Sequence, residues 1–115
     1  MAKHDPDLNL LFAALGDETR RAIVSRLARG PASVSELAAS HAMALPSFMG
    51  HIARLEKAGL IETAKTGRVR YCRLAAGGIA PLEHWLAEQH AVWTSRLDRF
   101  DDYVENLAKE RSDDS

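Results

Sequence analysis

Arg54 and Lys57 lie three residues apart, and Lys65, Arg68 and Arg70 come shortly after them. Cationic side chains at this density can neutralise phosphates and release the counterions that cover a nucleic-acid backbone. Other candidates for chemistry are thinner. Cys72 is the single cysteine, so an intrachain disulfide is excluded and a redox switch would lack its resolving thiol. It reads as a small hairpin residue. Glu83, His84, Glu88 and His90 crowd one region, but histidines on a helix are more often structural or solvated than ligands, and no metal or cofactor is expected. There is no Ser/His/Asp or Cys/His pairing and no glycine loop built to cradle phosphate, so an enzyme is not expected either.

The cations need a frame, and the stretch 33–60, SVSELAASHAMALPSFMGHIARLEKAGL, supplies it. Ser33 and Glu36 form an S-x-x-E capping box, which starts a short helix at Val34. Val34, Leu37 and Ala38 share one face of it, and the pattern fails near Ser40 and His41. Met43 plugs the turn. A second helix begins around Leu45, with Pro46 in its first turn and Gly59 as its left-handed stop. Phe48, Ile52 and Leu55 make its core stripe, while Ser47, Gly50, Arg54 and Lys57 lie opposite. With Leu45 and His51 near that outer face, the helix has the build that a major groove admits. An ordinary amphipathic surface helix would look the same in isolation.

The segment after Gly59 separates a groove-reading helix from an ordinary surface one. There the period changes to alternation, and Leu60 to Lys65, Thr66-Gly67 and Arg68 to Leu74 read as a β-hairpin. Its tip carries Lys65, Arg68 and Arg70, a cationic wing placed to lie along phosphates or in a minor groove.

Ahead of this frame, Leu8, Leu11, Phe12 and Leu15 predict an amphipathic helix ended by Gly16. Asp17 caps a second one, with Ile23, Val24 and Leu27 inward. Arg20, Arg21, Arg26 and Arg29 are expected outside, as a solvated face or as contacts to nucleic-acid backbone. The chain has 115 residues, 46% of them hydrophobic and 27% charged, which fits one globular domain over 1–115. Its net charge of −1 hides an asymmetry. Residues 1–75 carry 11 Lys and Arg against 7 Asp and Glu, and residues 76–115 carry 4 against 9. The basic part suits phosphates, and the acidic part is better kept away from them. No apolar run approaches the roughly 20 residues that span a bilayer, and MAKHDPDLN lacks a signal region, so a cytoplasmic protein without membrane contact is expected.

The segments LFAALGDETRRAIVSRLARG, SVSELA, PSFMGHIARLEKAGLI and GRVRYCRL resemble the ArsR/SmtB family of bacterial winged-helix repressors over nearly the whole chain. The resemblance implies a homodimer that sits on an imperfect palindrome of double-stranded DNA and blocks transcription. It also exposes departures. Where metal-sensing relatives place a C-x-C pair, this chain has Ser33 and Ser35, and hydroxyls do not replace thiolates for a soft ion. Where many relatives start the recognition helix with Ser-Gln, this chain has Ala44-Leu45, and Gly50 stands mid-helix. No small-molecule effector is legible.

After Gly77-Gly78 and Pro81 the longest helix is expected over 79–107, followed by a disordered tail over 108–115. Leu86, His90, Trp93, Leu97, Phe100, Val104 and Leu107 recur at steps of 4 and 3, a heptad-like seam. Such a seam wants a second subunit, with Leu8, Leu11 and Phe12 of the first helix helping to cover it. The expected architecture is mainly α with a small β-hairpin: a winged helix-turn-helix with a long C-terminal dimerisation helix. Its leading function is a dimeric DNA-binding repressor. The alternative is a winged-helix interaction module that has lost DNA binding, supported by Leu45, Met49 and Gly50 on or near the reading face.

Overall fold

Helix boundaries in this chain follow its capping residues. The computed structural model describes the backbone of residues 6–113 and the side chains of residues 8–112. Helix α1 (Pro6–Leu15) is followed by α2 (Glu18–Leu27), strand β1 (Ala32–Ser33), α3 (Val34–Ala39), α4 (Leu45–Lys57), β2 (Ile61–Thr66), β3 (Val69–Leu74) and α5 (Ala80–Asp113). The Asp17 carboxylate accepts from the Arg20 N–H and starts α2. The Ser33 hydroxyl accepts from the Glu36 N–H at 3.1 Å while the Glu36 carboxylate accepts from the Ser33 N–H at 3.2 Å, so the capping box is complete. Gly59, at φ 79°, ends α4. Around it the Leu60 N–H reaches the Leu55 carbonyl and the Gly59 N–H reaches that of Glu56, each at 3.0 Å, which is a Schellman motif. Leu55 and Leu60, its flanking apolar pair, are both buried.

The chain divides into two compact units, Met1–Leu82 and Glu83–Ser115. In the first, Leu11, Ile23, Leu27, Leu37, Phe48, Ile52, Leu55 and Ile61 form the core, with Cys72 closing it from the sheet. The sheet has three antiparallel strands in the order β1-β3-β2, so the hairpin expected from the sequence gains a short third strand. Ala32 pairs with Cys72 and Ser33 with Tyr71. Two residues carry no readable period, but the extended backbone that Ser33 adopts as a helix cap is also strand geometry. Thr66 pairs with Val69, so the turn is Gly67-Arg68, one residue later than Thr66-Gly67. Gly67 takes φ 64° at the first central position, the place where a tight hairpin turn accepts glycine. At the hairpin's exit a Cβ on Gly78 would stand 2.6 Å from the Gly59 carbonyl oxygen, so only glycine passes the end of α4 there.

Two expectations for side chains change. Arg20, expected outside, is 7% exposed. It falls in register with Ile23 and Leu27 on the inward stripe of α2, and its donors go to the end of α1 and to His51 of α4. Leu11, expected at a subunit interface, is 1% exposed and belongs to the core of its own chain. Val24, expected inward, packs against the core but keeps part of its surface open.

The second unit is α5 beyond its first turn. The helix overruns its expected end and continues to Asp113, because Lys109, Glu110 and Arg111 are good helix formers. Residues 108–113 are therefore helical, and residues 114–115 of the expected tail lie outside the described residues. Trp93, Leu97, Phe100, Val104 and Leu107 of the seam are all exposed. So are Trp85, Val92 and Tyr103, each one residue ahead of a seam position and hence about 100° round the helix. Among the described residues no helix is long and apolar enough to cross a membrane.

Candidate nucleic-acid interface

Helix α4 has one face committed to the core and one left open. Phe48, Ile52 and Leu55 are buried, whereas Leu45, Ser47, Gly50, Arg54 and Lys57 are exposed. A Cβ on Gly50 would meet nothing within 4 Å, so no packing inside the chain calls for glycine there. Arg54 and Lys57 border a cleft of about 280 Å³ shared with Leu10, Ala13 and Ala14 of α1. Among the described residues neither cation has an ion-pair partner.

The hairpin is tied to this helix by side chains. Arg70 donates to the Thr63 hydroxyl at 3.0 Å, and that hydroxyl donates to the Glu56 carboxylate of α4 at 2.9 Å. Strand alternation puts Thr63, Lys65 and Arg70 on the same face as buried Ile61 and Cys72, and Lys65 is paired directly opposite Arg70. Toward the tip this face runs beyond the core and turns cationic, with Arg68 in the turn itself. On the other face Arg73 pairs with Glu62 at 3.0 Å.

His51 is brought to a different place from the one expected of a reading residue. It is half-buried, and its Nδ1 lies 2.9 Å from Arg20 Nη1. A guanidinium only donates, so Nδ1 accepts and the imidazole proton resides on Nε2. The Asp17 carboxylate is 3.8 Å from the same nitrogen, which with Nδ1 accepting is a neighbour and not an ion pair. Arg20 Nε donates to the Ala14 carbonyl at 2.7 Å and Nη2 to that of Ala13 at 3.1 Å, while Arg21 Nη1 donates to Leu15 at 2.7 Å. Two arginines thus cap the orphan carbonyls of α1, and one of them also holds α4. The sequence did carry a signal: His51 sits with Phe48, Ile52 and Leu55 at i, i+3, i+4, i+7.

Comparison with known proteins bears on this geometry. Residues 15–64 match the helix-turn-helix domain family. The HTH-type transcriptional regulator Rv2034 of Mycobacterium tuberculosis is 37% identical over 86 residues, which cover 75% of this chain and 78% of that protein. The crystal structure of the ArsR family transcriptional regulator RHA00566 is 54% identical, with a TM-score of 0.77, over 83% of this chain and 98% of that one. This chain belongs to the ArsR family. It is a DNA-binding transcriptional regulator of the winged helix-turn-helix type. The solution structure of the homodimeric winged helix-turn-helix domain of Mb0332 from Mycobacterium bovis, a possible ArsR-family regulator, is 25% identical with a TM-score of 0.59. The match covers 79% of this chain and 94% of that one.

Ser33 is consumed by its capping box and Ser35 is exposed. His84 and Glu88 pair with each other at 3.1 Å along α5. Among the described residues no group of three His, Cys, Asp or Glu is arranged as a metal site. Cys72 is buried between Ala32 and Thr63, and burial pushes its thiol up from its ordinary range, away from the reactive thiolate. Of the α1 residues expected at a subunit interface, Phe12 is exposed and Leu8 half-buried.

Proposed function

We propose that this ArsR-family regulator is a cytoplasmic homodimeric repressor that sits on an imperfect palindromic operator and responds to no metal. One observation carries the reading: the open face of α4, with Ser47, Arg54 and Lys57, belongs to the same unit as a cationic hairpin tip bearing Lys65, Arg68 and Arg70. In this reading α4 enters a major groove and the tip grips phosphate or minor groove. Dimerisation is supported by the exposed apolar stripe of α5 and by the homodimeric state of the Mb0332 domain. Metal indifference is supported by Ser33 and Ser35 standing where sensing relatives carry thiolates.

A second reading, an interaction module without DNA binding, draws on exposed Leu45 and side-chain-free Gly50. The exposed cations Arg54, Lys57, Lys65 and Arg68 oppose it.

Binding to selected genomic fragments and to scrambled duplexes, over a range of salt concentrations, tests both. Arg68→Ala should weaken all duplexes and reduce the log–log salt slope by about 1 per lost phosphate contact, whereas Arg54→Ala should cost about 1–3 kcal/mol mainly on the cognate site. Zinc, cadmium and arsenite should leave affinity unchanged. Reversible release of DNA by any of them rejects metal indifference, and no binding to any duplex favours the interaction module.

A further inference from the structure

We propose that Leu45 reads thymine, its side chain covering a C5-methyl group in the major groove, so that part of the operator's identity is set by apolar contact. The proposal rests on the DNA-binding reading above and adds the base that the helix selects. Leu45 is the first residue of α4 and is 58% exposed, while Phe48, Ile52 and Leu55 of that helix are buried. The core does not use it. Met49, one turn on, lies on the same flank and is half-buried, so the pair makes a small apolar surface at the N-terminal end of the recognition helix. That end is the part of a helix-turn-helix that meets base edges. Ala44, the cap residue, supplies no side-chain hydrogen bond, Gly50 has no side chain, and Ser47 is the one hydroxyl in this half. Open space around Gly50 lets the backbone come close to the groove. Every base pair offers hydrogen-bonding atoms in the major groove, but only thymine offers a methyl group there. A leucine held in water by the fold and unable to hydrogen-bond is matched by that group alone.

Deoxyuridine removes the methyl and keeps the pairing, which makes the test direct. Genomic fragments bound by the full chain are selected, and the tightest is remade with each half-site thymine replaced in turn by deoxyuridine. At one position per half-site, or two adjacent ones, the wild type should lose about fourfold in affinity for each methyl that the leucine covers. Leu45→Ala should bind the thymine duplex more weakly by a similar factor, bind both duplexes equally, and melt at the wild-type temperature. Equal wild-type binding to both duplexes, with tight binding retained, overturns methyl reading and leaves DNA binding intact. Discrimination that survives in Leu45→Ala removes Leu45 from the role. Failure of the wild type to bind any duplex overturns the underlying reading along with this one.

Discussion

Arg20 of α2 donates to His51 of α4 across 2.9 Å, and the same guanidinium closes the end of α1 through the carbonyls of Ala13 and Ala14. One buried side chain therefore fixes three helices, and the recognition helix is one of them. Arg20→Met keeps much of the apolar stem and removes every donor. It should destabilise the chain by about 2–4 kcal/mol, since charged hydrogen bonds are lost and buried acceptors are left open. Urea titration of both proteins measures this, and an unchanged midpoint would show that the fork has no structural role.

Asp17 gives stability a defined acid dependence. The N–H of Arg20, ahead of the nearby guanidinium, holds its carboxyl below the ordinary value of 3.8 against a smaller opposing effect of burial. A depressed native value means that the stabilisation is complete above the unfolded value near 3.9 and is lost as pH falls through the native one. Asp17→Asn retains a capping acceptor but cannot titrate. The stability gap between the two proteins should therefore be largest near pH 7 and close below about pH 4. A gap that stays constant from pH 7 to pH 3 contradicts the assignment.

Gly50 stands mid-helix with nothing around it. Gly50→Ala should raise the stability of the free protein by about 1 kcal/mol, because alanine loses less backbone entropy in a helix. If the groove comes as close as an open face allows, the same methyl should lower DNA affinity. Thermal melting and a binding isotherm, taken together, separate the two effects.

On α5, Leu97 is 63% exposed and Phe100 62% in the single chain. Glutamate at both positions would put charge into whatever covers them, at a cost of several kcal/mol. Sedimentation should find a dimer for the wild type at micromolar concentration and a monomer or an unfolded chain for the double variant. A wild-type monomer would remove the basis for a two-fold operator.

Much of the fold is legible in the sequence, and the reasons are local. The caps at Asp17, Ser33 and Gly59 and the stripe of Phe48, Ile52 and Leu55 are written in residue types whose backbone preferences leave few alternatives. Arg20 and His51 depart from expectation because side-chain type points outward while position points inward. Both lie on inward stripes, and an arginine or histidine stays buried there when carbonyls or a guanidinium complete its hydrogen bonds. Strand β1 escapes a sequence reading because two residues have no period, and its pairing depends on Cys72, far away in the chain. The hairpin turn shifts by one residue because glycine fits either central position, and only the Thr66–Val69 pairing chooses between them. Which side chains touch bases is less legible still, since it depends on a surface outside the chain.

The open face of α4 has an evolutionary consequence. Orientation of the helix is fixed by Phe48, His51, Ile52 and Leu55 from beneath, while Leu45, Ser47 and Gly50 take no part in the core. Substitutions above can accumulate without compensating repacking below. A lineage that inherits this scaffold can therefore change that face by single steps, each a folded and heritable intermediate.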